Sequence, residues 1–233
     1  DDYGMISEND HITVGVSGGK DSLALLCALA RLRKFYPKPF SLSAVSVSMG
    51  YKEMNFDGVR RLCDELGVPL VIKETNIAEI LFDMRKESNP CSLCAKLRRG
   101  ALHNASLELG SRTVALGHHE DDVLETFMLC LVYEGRVNCF SPVTFLDRKN
   151  IKLIRPMIYV PERYISGFAK RFGLPVVKNA CPADKHTKRE YIKTLVRTLE
   201  KENPGFKKRL FTAIEGAKAG GFGEFVGRKE DAE

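Results

Sequence analysis

The sequence predicts an α/β protein: a mainly parallel, twisted sheet with helices on both faces and a C-terminal extension of basic helices. Three observations carry this expectation. Runs of β-branched residues alternate with helical patterns through the first two-thirds of the 233 residues, the order that a parallel sheet covered on both faces produces. The stretch from Ile12 to Ser22, ITVGVSGGKDS, passes from an apolar strand through a turn of small residues into an apolar helix. Beyond Val177 the alternation stops, and two helical patterns rich in lysine and arginine follow.

Taken in order, residues 12–16 read as the first strand and 23–35 as a helix apolar nearly all round, hence buried. Residues 40–47 alternate as a second strand, followed by an amphipathic helix at 56–66 ended by Gly67. A third strand at 70–73 and a short helix at 77–85 lead to a longer helix at 93–109, stopped by Gly110. A fourth strand, 113–116, precedes a helix at 121–133. After Gly135 the pattern loosens: 143–145 and 151–154, separated by 147–150, predict a hairpin or an edge excursion. A helix from about 161 to 172 opens on Pro161, acceptable in a first turn, and 174–177 is a short extended piece. The basic helices fall near 187–202 and 206–217, and the glycine-rich tail from Gly220 is expected to fray. These boundaries divide the chain into a main domain at 1–177, a basic helical segment at 178–217 and a flexible tail at 218–233.

Composition narrows the class. A hydrophobic content of 44% suits one sizeable core. No run is long and apolar enough to span a membrane, and nothing at the start resembles a signal peptide, so a cytoplasmic protein without a membrane partner is expected. Seven cysteines, several in apolar helical patterns, disfavour a disulfide framework and suit a reducing compartment. The net charge of +6 is localised: between Lys178 and Arg209 stand ten Lys or Arg against four Asp or Glu. Such a segment points to a polyanion, with nucleic acid first, or to a solvated helical face; charge alone does not separate them.

The loop at Ser17–Ser22 suits a phosphate, because strand, glycine turn and helix aim backbone amides and the positive end of a helix dipole at one point. It is not a Walker loop, since Gly15 and Gly19 enclose only three residues and Asp21 follows Lys20. The G-x-G-x-x-G dinucleotide spacing is also absent. Ser17 and Ser22 can donate hydroxyl hydrogen bonds, Gly18 and Gly19 admit the backbone, and Lys20 offsets growing negative charge. Asp21 needs a role as Mg²⁺ ligand or helix cap beside a phosphate. Residues 47–50, ending strand two, are the expected adenine edge.

A second cluster, Gly117-His118-His119-Glu120-Asp121-Asp122, follows strand four and so falls on the same carboxyl-terminal rim. Acidic residues there also serve as ordinary capping groups. No ligand spacing for zinc accompanies the histidines, whereas Mg²⁺ held by a carboxylate and bound phosphates fits. Asp121 is the expected carboxylate, Gly117 and His118 the expected nucleotide contacts.

Cys91 and Cys94 form a C-x-x-C at a helix start, where the dipole lowers thiol pKa values. A redox pair, a structural zinc site and part of an iron–sulfur cluster compete; a redox pair usually follows a strand, and zinc normally wants four protein ligands. Cys27, Cys63 and Cys130 read as small core residues. Cys181, in a polar loop before the first basic helix, is the stronger further candidate, and Cys139 the weaker.

Ser17-Gly18-Gly19-Lys20-Asp21-Ser22 matches the SGGxDS signature of the PP-loop, or N-type ATP pyrophosphatase, superfamily. With Cys91-Ser92-Leu93-Cys94, Ala95-Lys96-Leu97-Arg98-Arg99-Gly100, the Gly117–Asp122 cluster and Ile154-Arg155-Pro156, the chain resembles the tRNA 2-thiocytidine synthetases of that superfamily, from about Met5 to Glu215. The resemblance implies a PP-loop, adenine nucleotide alpha hydrolase-like fold that cleaves ATP between its α- and β-phosphates. It implies ATP, Mg²⁺ and a [4Fe–4S] cluster as cofactors, with Cys91, Cys94 and, by position, Cys181 as ligands. Lys20, Asp21 and Asp121 become the catalytic residues. Implied partners are tRNA, a sulfur donor (a desulfurase or sulfide) and a second copy in a homodimer. Arg98, Arg99, Lys185, Lys188, Arg189, Lys193, Lys207, Lys208 and Arg209 are the expected RNA contacts. Two departures stand out: family members carry a second C-x-x-C where this chain has Lys178-Asn179-Ala180-Cys181, and residues 138–150 diverge. Competing functions are another PP-loop enzyme, such as a uridine thiolase or an adenylating ligase, and a non-catalytic, nucleotide-dependent RNA-binding module with structural zinc.

Overall fold

The computed structural model describes residues 1–50, 55–81, 90–177 and 188–224. Cys181, Lys185 and the end of the helix expected at 77–85 lie outside them. Six strands form one sheet: β1 (Asp10–Gly15), β2 (Phe40–Ser48), β3 (Leu70–Glu74), β4 (Thr113–Ala115), β5 (Val143–Leu146) and β6 (Ile151–Ile154). Their order is β3-β2-β1-β4-β6-β5, and every pairing is parallel except β5 with β6. The expected hairpin is therefore built into the sheet, with β6 laid parallel to β4. Its turn ends on Asn150 at φ +49°, a left-handed position that asparagine tolerates.

Eight helices complete the described residues: α1 (Lys20–Leu32), α2 (Asp57–Leu66), the single turn α3 (Ile77–Glu79), α4 (Pro90–Glu108), α5 (Glu120–Leu129), α6 (Glu162–Arg171), α7 (Lys188–Glu202) and α8 (Phe206–Gly216). One face of the sheet carries α1, α2 and α6, whose Leu23, Leu26, Val59 and Ile165 share a core with Ile12, Val14 and Ala44. On the other face, Leu102 and Ala105 of α4 pack on Val45, Val114, Ile151 and Leu153. Helix α5 continues beyond Leu129 as a π-helical turn, Cys130–Glu134, ended by Gly135 in the left-handed region.

The chain changes direction in the sheet beside β1. From β1 it winds outward through β2 to β3, then returns through α4 to β4 on the other side of β1. At such a switch point the loops after the two central strands part and leave a crevice. The register pairs Val14 with Ala115 and Ala115 with Ile154. Ser17, Gly117 and Arg155 consequently leave the sheet together on one rim.

The expectation of a frayed tail from Gly220 is corrected for residues 219–224. Ala219 and Phe222 are buried, and Phe222 shares a core with Val123, Leu124 and Phe127 of α5, Ile158, and Phe211 and Ile214 of α8. An aromatic side chain of that size offsets the ordering of a short glycine-rich segment. Phe222→Ala is expected to destabilise the protein by about 3 kcal/mol, seen as a lowered melting temperature; an unchanged melt would mean that the tail contributes nothing to this core.

Candidate nucleotide and cysteine site

The loop after β1 is braced from within. Ser22 Oγ donates to the Gly19 carbonyl (2.9 Å) and accepts from the Ser17 amide (3.1 Å), while Ser17 Oγ accepts from the Gly19 amide (3.3 Å). Ser22 Oγ thus shapes the loop. Gly19 caps α1 with no side-chain hydrogen bond, so the first-turn amides remain open to an anion. Gly18 sits at φ +82° with Val177 against it: a Cβ would lie 2.8 Å from the Val177 side chain, and the Val177 amide donates to the Gly18 carbonyl (2.9 Å).

Gly117 closes the crevice from β4. A Cβ there would lie 3.0 Å from both Asp21 C and Ser22 N, so only glycine lets the two loops touch. The next two residues are extended and point to opposite sides, as consecutive extended residues do. His119 faces the PP-loop: its Nε2 is 3.7 Å from Asp21 Oδ1 and its Nδ1 accepts from the Asp122 amide, capping α5. Asp122 returns the bond to the His119 amide (3.1 Å). His118 instead packs against Phe140 in a tilted pair, with ring centroids 4.8 Å apart, and burial pushes its pKa down to about 4. His118 was the expected nucleotide contact, and the histidine beside the loop is its neighbour.

Asp121 also takes partners other than those its role as a Mg²⁺ ligand supposes. Its carboxylate accepts from the Glu162 amide (2.7 Å) and from Lys207 of α8. Burial works against its charge, but these two donors outweigh it and hold the carboxyl below its ordinary value. The acidic side chains beside the loop are Asp21, Asp122 and one that motif reasoning missed, Glu162. Lys20 Nζ lies 2.9 Å from both Asp21 Oδ1 and Glu162 Oε1. Glu162 is half-buried, which opposes its charge, yet Lys20 and Lys193 hold its carboxyl down at about 2. The only sequence signal at Glu162 was an acid in a helical first turn.

Arg155, from the expected Ile154-Arg155-Pro156 motif, is buried behind this rim. It donates to Thr144 Oγ1 (3.0 Å) and to the Ser141 carbonyl, with its guanidinium 5.0 Å from the Phe140 ring centre. Its Nε and His118 Nδ1 are buried without a hydrogen-bond partner among the described residues.

The expected RNA contacts divide. Arg189 pairs with Glu125 (3.0 Å) and Asp122 (3.3 Å) of α5, Lys193 with Glu162 (3.3 Å) and Lys207 with Asp121. These bases bind the C-terminal helices to the domain. Arg98, Arg99, Lys188, Lys208 and Arg209 are exposed.

The first turn of α4 lies over the end of β2, with Cys94 Sγ donating to Met49 Sδ (3.8 Å) in a cluster with Leu93, Leu97, Ile77 and Leu81. Cys91 is exposed and Cys94 half-buried. Cys27, Cys63 and Cys130 are buried, as small core residues should be. Cys139 is buried too, its thiol donating to the Ala219 carbonyl (3.4 Å) and pushed up to about 11 by burial. No group of three metal-ligating side chains occurs among the described residues.

A family model for the PP-loop domain matches residues 3–199. The tRNA-cytidine(32) 2-sulfurtransferase of Pelobacter propionicus is 40% identical over 216 residues, 91% of this chain and 80% of its own length. The protein of the same name from Geobacter sulfurreducens is 38% identical over 91% of this chain and 84% of its own. Among solved structures, the U34-tRNA thiolase NcsA from Methanococcus maripaludis with its [4Fe–4S] cluster has a TM-score of 0.74 at 28% identity, over 91% of this chain and 73% of that one. The NH3-dependent NAD synthetase of Campylobacter jejuni, at 18% identity and a TM-score of 0.50 over 98% of this chain and 91% of its own, shares the fold alone. With an SGGKDS loop at the switch point of its sheet and the model matched over most of its length, the chain belongs to the PP-loop family.

Proposed function

We propose that this chain is an ATP-dependent tRNA sulfurtransferase that adenylates the C2 oxygen of a cytidine and replaces that oxygen with sulfur. The observation that carries the proposal is the contact of Cys94 with Met49, which sets the C-x-x-C at the end of β2, one strand from the PP-loop. The names of the relatives at 40% and 38% identity supply the substrate class.

In the first step the cytidine oxygen attacks the α-phosphorus of ATP, and the bond to pyrophosphate breaks. First-turn amides of α1 hold the departing pyrophosphate, and Lys20 offsets its growing charge. Asp21 is the carboxylate on this loop that would hold Mg²⁺, which would supply charge stabilisation to the phosphates. His119, whose Nδ1 accepts from the Asp122 amide, keeps its Nε2 between the Asp21 (3.7 Å) and Asp122 (3.5 Å) carboxylates, beside the loop. The activated oxygen leaves as AMP when sulfur takes its place.

The thiols present fit a cluster in chemistry, because soft sulfur ligands select iron–sulfur clusters. Cys91 and Cys94 would hold two irons and Cys181 a third; Val177, four positions earlier, rests on Gly18. So held, the cluster would supply the sulfur that is transferred, replenished by sulfide, or by a desulfurase together with a two-electron reductant. For tRNA, the exposed Arg98, Arg99, Lys188, Lys208 and Arg209 offer phosphate contacts, Lys185 is proposed as a further one, and the target base must be turned out of its stack to reach the crevice.

Lys20→Met is expected to lower tRNA-dependent pyrophosphate release by about 10² to 10³; retention of the wild-type rate would exclude Lys20 from the chemistry. Anaerobic purification should give iron and sulfide with visible absorption, lost in Cys91→Ala, Cys94→Ala and Cys181→Ala. Stoichiometric zinc without iron would overturn the cluster.

A further inference from the structure

Lys20 is held more closely than a lone phosphate-binding lysine needs. An ammonium group has three N–H directions. Asp21, from the same helical turn, accepts from Lys20 through both carboxylate oxygens (2.9 and 3.1 Å), and Glu162, from a distant helix, holds the same ammonium at 2.9 Å, so two acids fix it beside the PP-loop. Glu162 is itself fixed at both ends. Its amide donates to Asp121 Oδ2 (2.7 Å), and its carboxylate meets Lys193 of α7 at 3.3 Å. Of the two acids around Lys20, only Glu162 joins the loop to the C-terminal helices.

We propose that Glu162 is a positioning residue for the ATP-cleaving step: it aims the Lys20 ammonium at the pyrophosphate, while Lys193 balances its charge. The inference rests on ATP binding at the PP-loop and adds how its lysine is aimed. Two opposed effects follow. A carboxylate beside a polyphosphate weakens nucleotide binding through repulsion and competition for Lys20. The same carboxylate raises the rate, because a pre-aimed cation needs no reorganisation as charge develops. Lys193 relieves the repulsion without touching Lys20.

The test uses the full chain, with calorimetric binding of α,β-methylene-ATP and Mg²⁺ alongside pyrophosphate release from ATP in the presence of tRNA. Glu162→Gln, which removes the charge and keeps the shape, should bind the analogue about fivefold more tightly and yet release pyrophosphate about tenfold more slowly at saturation. Lys193→Met should bind the analogue about fivefold more weakly. General damage to the site moves affinity and rate in the same direction, so the split belongs to positioning alone. Glu162→Gln binding no tighter than wild type, or turning over at the wild-type rate, overturns the proposal. If that variant does not fold, Lys193→Met decides by whether it weakens binding. Wild-type protein that binds the analogue but releases no pyrophosphate would defeat the ATP-cleaving function instead, and the binding comparison would then decide for Glu162.

Discussion

Everything at this site depends on how closely two loops approach at the centre of the sheet. Gly117 lies against the peptide joining Asp21 to Ser22, at a distance that leaves no room for a Cβ. The contact is possible because β1 and β4 are direct neighbours, and the reversal of strand order gives each of them a loop facing the same crevice. Its consequences run in both directions. Toward the phosphate, it fixes the first turn of α1, whose amides are open. Toward α5, it sets His119 beside Asp21 and leaves His118 on the far side against Phe140.

Charge is distributed on the same principle. The positive surplus of α7 and α8 is partly answered by acids of α5 and α6: Arg189 by Glu125 and Asp122, Lys193 by Glu162, Lys207 by Asp121. Breaking a partly buried pair leaves a charge without its partner, which costs more than the pair contributes when intact. These pairs therefore fix where the helices sit, while the apolar contacts of Ile158, Phe211, Ile214 and Phe222 with α5 supply the burial. The two basic helices and the PP-loop are thus mechanically one piece, joined through Asp121 and Glu162 at the first turns of α5 and α6.

The fold was legible because its signals are local. Period-two and period-3.6 patterns, glycine stops at Gly67 and Gly110, and the loop at Ser17–Ser22 each report on a few adjacent residues. What escaped depends on direction or on distant partners. That His119, and not His118, faces the loop follows from the phase of an extended segment, which two adjacent histidines do not reveal. Glu162 looked like any acid at a helix start, because its partner Lys20 lies far away in the chain. Phe222 was lost in a glycine-rich stretch whose composition suggests disorder, although one large aromatic meeting a ready pocket outweighs composition. Cys139 is the converse case: its loop position made it a candidate ligand, and in the fold it is buried with its thiol on the Ala219 carbonyl of the returning tail.

The cysteines carry the step from nucleotide binding to sulfur chemistry, and their placement follows from the sheet as well. A helix that leads back to a parallel strand starts at the carboxyl end of the sheet. Helix α4 must therefore begin on the PP-loop rim, and its first turn holds Cys91 and Cys94. The apolar contacts of Leu93, Cys94 and Leu97 with Met49, Ile77 and Leu81 fix how that turn sits over β2. From the opposite side, the chain reaches the same rim at Val177, seated on Gly18, before continuing toward Cys181. A lysidine-type or metabolite ligase on this fold would need the loop and its acids but no thiols on the rim. The pairing of Cys91 and Cys94 with an ATP-binding crevice is what favours sulfur transfer over simple ligation.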